Sequence, residues 1–201
     1  MTERKKPAPR ATSASMRSVA LLRGINVGGQ KKIAMPALCK IAEELGLSRV
    51  ATYIQSGNLV YASPLDAPEV ESALESAIRA RFGFDVSVIV RSADAWTRYA
   101  ADETFADAAL ARPKMLHLAL AKAPIAADAI ERLSPYAKAG ERIARASDDA
   151  LWLDFNESVG RSKLTPAVLD RCVGSPVTAR NWSTVQALFG MLSSDTLSLD
   201  A

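Results

Sequence analysis

Arg23-Gly24-Ile25-Asn26-Val27-Gly28-Gly29-Gln30-Lys31-Lys32 follows directly on the apolar run Val19-Ala20-Leu21-Leu22. About one helix further on, Val50-Ala51-Thr52-Tyr53-Ile54 runs into Gln55-Ser56-Gly57-Asn58 and out again as Leu59-Val60-Tyr61. Both apolar runs have the character of strands, and both polar stretches that of the turns that end them. Between them Met35, Leu38, Ile41, Ala42 and Leu45 recur at helical spacing, with Pro36 near the first helical position and Gly46 as the stop.

Working outward, Asp66 and Glu69 form a capping box for a helix with the apolar face Val70, Ala73, Leu74, Ala77, Ile78 and Phe82, ended by Gly83. Val86, Val88 and Val90 alternate as a strand, and a short helix after Ser92 carries Trp96 and Tyr99. The order is β-α-β-β-α-β-α. It recurs after a looser stretch. Met115 to Leu120 is an apolar strand, Ile130 and Leu133 mark a helix, and Ile143 a weak strand. Leu151, Leu153 and Phe155 alternate beyond the Asp148-Asp149 turn. A helix opens at Thr165-Pro166 and stops at Gly174; Val177-Thr178-Ala179 is a short strand, and Asn181 caps a final helix.

The fold class expected is therefore α+β, a tandem duplication of a ferredoxin-like unit (split βαβ, β-α-β-β-α-β), each copy followed by an extra helix. The boundaries read as a disordered basic tail over 1–17, a first subdomain over 18–103, a linker over 104–113, a second subdomain over 114–192 and a tail over 193–201. In such a unit the first βα turn and the hairpin tip leave the sheet at the same end, so 24–32 and 55–58 are expected to be neighbours. The loops at 160–163 and 180–181 join them only if the halves pack head to tail.

Composition narrows the function classes. The net charge of +3 divides unevenly, because residues 1–17 carry Arg4, Lys5, Lys6, Arg10 and Arg17 against Glu3. The rest holds 20 basic and 21 acidic side chains, so the folded body is not basic and a nucleic-acid partner is disfavoured. No apolar run approaches the ~20 residues that span a bilayer, and no secretory signal opens the chain; the reading is cytoplasmic, with no membrane partner. Cys39 and Cys172 fall at apolar helical positions as reduced packing residues, and no cluster has metal-ligand spacing. His117, the single histidine, lies inside an apolar strand and is read as a core or edge residue rather than a general base.

Leu22-Arg23-Gly24-Ile25-Asn26-Val27-Gly28-Gly29, then Met35 and Leu38, then Thr52-Tyr53-Ile54-Gln55-Ser56-Gly57-Asn58, then Ser162-Lys163-Leu164 and Thr178-Ala179-Arg180-Asn181-Trp182-Ser183-Thr184 resemble the bacterial domain of unknown function 1697 family. The likeness covers roughly 17–192. It implies a two-part α+β fold with ferredoxin-like topology and supplies no activity, substrate or cofactor. Ser183 departs from the asparagine common there.

The polar loops supply the candidate ligand residues: Arg23, Gly24, Asn26, Gly28, Gly29, Lys32, Ser56, Gly57, Asn58, Lys163, Arg180 and Asn181. Glycines between a strand and a helix, with lysines beside them, suit backbone N–H groups holding a phosphate. The spacing matches neither a dinucleotide fingerprint nor a P-loop, and a tight turn is the simpler account of the glycines. Ser56 has no base assigned to it as a nucleophile, Asn181 is explained as an N-cap, and Arg180 beside a helix N-terminus calls for an anion or carboxylate. The expected function is binding of a small anionic ligand, phosphate-bearing or nucleotide-like. A nucleic-acid module and a protein-interaction role are the alternatives. Catalytic residues, cofactor and oligomeric state are left open.

Overall fold

The computed structural model describes residues 16–194. The first half comprises β1 (Met16–Leu22), α1 (Met35–Glu44), β2 (Ser48–Tyr53), β3 (Asn58–Ser63), α2 (Ala67–Phe82), β4 (Val88–Ser92) and α3 (Ala93–Ala100). A short helix, α4 (Ala106–Ala111), joins it to β5 (Leu116–Ala121), α5 (Ala129–Leu133), β6 (Arg142–Ser147), β7 (Ala150–Asp154), α6 (Pro166–Val173), β8 (Val177–Asn181) and α7 (Trp182–Ser193). The strands form two four-stranded antiparallel sheets, ordered β2-β3-β1-β4 and β6-β7-β5-β8. The two sheet units are thus alike in order and direction, each with its most apolar strand in the middle.

Strand alternation divides the core into three. Ala20 and Leu22 of β1 face α1 and α2, packing on Leu38, Ile41, Leu74 and Ile78. Ala119 and Ala121 of β5 face α5 and α6, packing on Leu133, Leu169 and Cys172. The opposite faces of both sheets share one cluster. Val19 and Leu21 meet Leu116, Leu118 and Trp152 there, together with Trp96 and Tyr99 of α3 and Val185, Leu188 and Leu192 of α7. The Trp96 indole N–H donates to the Val185 carbonyl at 3.0 Å, tying α3 to α7 inside this shared core.

Four helix ends follow the sequence signals. Asp66 and Glu69 make a reciprocal capping box, and Ser92, Thr165 and Asn181 each accept the N3 backbone N–H. Gly83 and Gly174 close their helices in the left-handed conformation.

Several boundaries differ from the sequence reading. Residues 1–15 and 195–201 lie outside the described residues, so most of both expected tails is not tested. Met16 and Arg17, assigned above to the basic tail, belong to β1, and Arg17 caps the end of α7 by donating to the Met191 and Ser194 carbonyls. The expected linker contains α4, which is alanine-rich, only six residues long and without an apolar period. An ion network anchors it: Arg142 donates to Asp107 and lies over the Phe105 ring, and both Arg142 and Arg112 donate to the fully buried Asp154. Burial works to raise the Asp154 carboxyl, but hydrogen bonds from Arg112, Arg142 and the Asn156 N–H overcome it and hold the group below the ordinary carboxylate range. Arg180 and Asn181 lie within β8 rather than in a loop after it.

Candidate functional site

The glycine stretch after β1 is a miniature hairpin. Gly28 and Gly29 occupy its two central positions with φ of 58° and 78°, as a type I′ turn requires, and the Gln30 N–H donates to the Val27 carbonyl at 3.1 Å. Asn26 ties its base. The side-chain oxygen accepts the Ile33 N–H, and the amide nitrogen donates to the carbonyls of Ile33 and Gln55 at 2.9 and 2.8 Å. The last bond joins this loop to the hairpin tip, so 24–32 and 55–58 are neighbours, as topology required.

Lys31 and Lys32 then diverge. Lys31 reaches back to the Asp85 carbonyl at 2.7 Å. Lys32 lines a cavity of about 500 Å³ with Asn26, Gly29, Ile33, Gln55 and the first residues of α1, Met35 and Pro36. This volume is in the range of small-ligand sites. Among the described residues, five helices have eight or more residues, and α1 is the one with no side-chain cap. Its N-cap is Ala34 and its first turn holds no acidic residue, so the positive end of the helix opens on the cavity without a built-in counter-charge.

The other candidates gather at the seam between the halves. Arg180 is 8% exposed, yet all three nitrogens find acceptors. Nε donates to the Asn58 side-chain oxygen, Nη1 to Thr178 Oγ1 and the Ala179 carbonyl, and Nη2 to the carbonyls of Leu22, Ser56 and Gly57 at 3.0, 2.9 and 3.3 Å. Among the described residues no carboxylate answers it. Burial pushes its pKa down to about 10, which leaves it a cation at neutral pH. Asn58 is 0% exposed, and its amide nitrogen donates to the Tyr53 carbonyl and Ser56 Oγ. Gly57 fits because it has no side chain: a Cβ there would lie 2.7 Å from Leu22 Cβ at a φ of 76°.

The same seam carries a matching set in the other direction. Arg91 stands one residue before the Ser92 cap, as Arg180 stands before Asn181, and it donates to the carbonyls of Ala121 and Asp149 and pairs with the Asp149 carboxylate at 2.8 Å. Arg23 donates to the Val177 carbonyl and to Asp170, whose other oxygen accepts the Val177 N–H. Lys122 likewise reaches the Val88 carbonyl and Glu75, whose carboxylate accepts the Val88 N–H. Thus Arg180, Ser56, Gly57 and Asn58 meet one another, while Arg23 reaches across the seam to Val177 and Asp170. Asn181 caps α7. Gly24 lies at the start of the loop with φ 66°. Lys163 stands apart in a separate cavity with Pro135, Tyr136 and Lys138.

A larger cleft of about 690 Å³ runs beside Arg23, Lys31, Arg79 and Lys122, but Glu75 and Asp85 share its lining. Its cations are committed: Arg79 pairs with Asp85, Lys122 with Glu75 and Arg23 with Asp170. Burial lowers the His117 pKa, and the Arg180 charge adds to this against a hydrogen bond to the Met115 carbonyl, so the ring is neutral at pH 7. Its ring packs edge-on against Phe155 at 5.0 Å. Among the described residues no group of three or more His, Cys, Asp or Glu could hold a metal, and no helix is long and apolar enough to cross a membrane.

Sequence reasoning missed Ala34, Met35 and Gln55 as cavity residues. The signal available was Ala34-Met35-Pro36 itself, a helix start with no Ser, Thr, Asp or Asn before it.

Comparison with known proteins agrees with the fold and leaves the chemistry open. No curated protein matches the sequence. A conserved bacterial protein, SP0830 from Streptococcus pneumoniae, superposes with a TM-score of 0.69 at 23% identity, over 90% of this chain and 100% of that one. The model of a protein of unknown function, DUF1697, matches residues 16–152, and the chain belongs to that family.

Proposed function

We propose that this protein binds a small anionic ligand, phosphate-bearing or nucleotide-like, in the cavity where α1 begins. The observation that carries the reading is the uncapped start of α1, opening beside Lys32 on a cavity of about 500 Å³. Backbone N–H groups at a helix start and a nearby ammonium are a standard anion pair, and Asn26 and Gln55 at the rim offer polar contacts that can orient a ligand. Ser56, Gly57, Asn58 and Arg180 serve this site indirectly, by fixing the hairpin tip against β1 and β8, and Arg23 ties the end of β1 to β8 through the Val177 carbonyl.

We read the scaffold as two ferredoxin-like units, 18–103 and 114–192, derived by duplication. The repeated strand order and the reciprocal pairs Arg91/Arg180 and Arg23/Lys122 support that reading.

The test is calorimetric titration with inorganic phosphate, sulfate and nucleoside monophosphates, on the wild type and on Lys32→Ala. Saturable binding weakened about tenfold by the substitution, or about 1.4 kcal/mol, is expected. No binding at millimolar ligand, or equal affinity in the variant, would remove the proposal.

A further inference from the structure

We propose that the cavity between the end of α5 and the start of α6 is a binding site for a small aromatic acid, separate from the α1 cavity. It has a volume of about 520 Å³ and is lined by Pro135, Tyr136, Lys138, Lys163, Thr165 and Val168.

The lining combines two chemistries that a ligand must match together. Pro135, Val168 and the Tyr136 ring give an apolar wall. Lys138 and Lys163 share the lining with it, and among the described residues neither makes an ion pair or a side-chain hydrogen bond. This sets the cavity apart from the larger cleft at the seam, where Arg23, Arg79 and Lys122 are paired with carboxylates and Lys31 donates to the Asp85 carbonyl. Among the described residues no carboxylate lines it. Glu141, three positions after Lys138, is occupied by the Ser162 hydroxyl and the Ala139 N–H. A ligand carboxylate placed between the two ammonium groups would gain both charges without displacing an internal partner.

The Tyr136 ring is also held in place before any ligand arrives. Arg171 lies over it with the guanidinium carbon 5.6 Å from the ring centroid, and donates to its hydroxyl at 2.7 Å. A fixed ring costs less order to stack against than a mobile one. The Thr165 oxygen accepts the Val168 N–H, which leaves its hydroxyl proton able to donate to the acid. Recognition falls to the two lysines for the charge, with the Thr165 hydroxyl as a further donor, and to the Pro135–Tyr136–Val168 wall for the ring.

The experiment is an amide-resolved NMR titration of the full chain with 2-naphthoate, using acetate as the ring-free control and 2-naphthalenemethanol as the charge-free control. Wild type, the Lys138→Ala/Lys163→Ala double variant and Lys32→Ala are compared. All three lysines are exposed, so the variants are expected to keep the wild-type spectrum elsewhere. Saturable shifts at 136–138 and 163–168 are expected with 2-naphthoate, at least tenfold weaker with either control. The double variant should lose at least tenfold in affinity, and Lys32→Ala should keep it. No saturation below ~10 mM, or equal affinity in the double variant, overturns the proposal. Loss in Lys32→Ala alone also overturns it, by assigning the acid to the α1 cavity.

Discussion

Arg91 and Arg180 occupy the same step of their respective halves, yet their charges are answered differently. Each reaches across the seam to the end of the opposite central strand and to the opposite hairpin tip. Arg91 finds a carboxylate, Asp149, at that tip, but its Nε is buried with no partner. Arg180 finds no carboxylate, but its Nε is met by the Asn58 side chain. The register explains the exchange. Asn58 lies opposite Leu21 as Ala150 lies opposite Leu120, so the residue before each is Gly57 in one half and Asp149 in the other. An aspartate cannot stand at 57, where even a Cβ would meet Leu22. The tighter tip therefore excludes the counter-ion and substitutes a complete set of neutral acceptors. Burying a cation this way is tolerable only while every donor is bonded.

The largest expected effect breaks this comparison at its more demanding side. Arg180→Met leaves the Asn58 oxygen and the Ser56 carbonyl without their donor in a closed seam, and at about 1–3 kcal/mol for each buried acceptor left unpaired this should be the largest loss of stability in urea unfolding. Arg91→Met should cost less, about 1–3 kcal/mol, since Asp149 is 36% exposed on its side chain and keeps the Ser147 and Tyr99 hydroxyls. Equal losses would show that the counter-ion makes no difference. Gly57→Ala probes the tight tip directly. The clash with Leu22 and the positive φ together should cost about 2–4 kcal/mol, with the unfolding slope unchanged.

The smallest effect concerns pH. His117 is buried and its folded pKa is depressed, so the unfolded chain binds the proton more readily. Its contribution is fully present above the unfolded value near ~6.5 and is lost as pH falls from there toward the folded value. His117→Gln should flatten that part of the stability profile. An unchanged slope between about pH 6.5 and 5 would contradict the assignment.

Much of this arrangement was legible in the chain. Glycine stops, the caps at Asp66, Ser92, Thr165 and Asn181, and the apolar runs at Val19–Leu22 and Leu116–Leu120 gave the element order and placed the two N-terminal loops together. What escaped was set by contacts across long separations. Arg180 carries no mark in sequence of the Leu22, Ser56 and Asn58 acceptors it meets more than a hundred positions away, and a polar residue in a short strand looks like the start of a loop. Helix α4 has neither a cap nor an apolar period and is held by Arg112, Arg142 and Asp107. The glycines of 24–29 were ambiguous between a turn and an anion loop because both need positive φ. The structure uses Gly28 and Gly29 for the turn, and the open helix start lies a few residues later, at Ala34.

The division of labour between seam and cavity is the claim on which the account stands, and an amide-resolved titration of the wild-type protein with inorganic phosphate tests it most directly. Saturable shifts over Asn26 to Ala37 and at Gln55, with Thr178 to Asn181 unmoved, are expected. Shifts centred on Arg180 and Asn58, or none that saturate at 26–37, would contradict it.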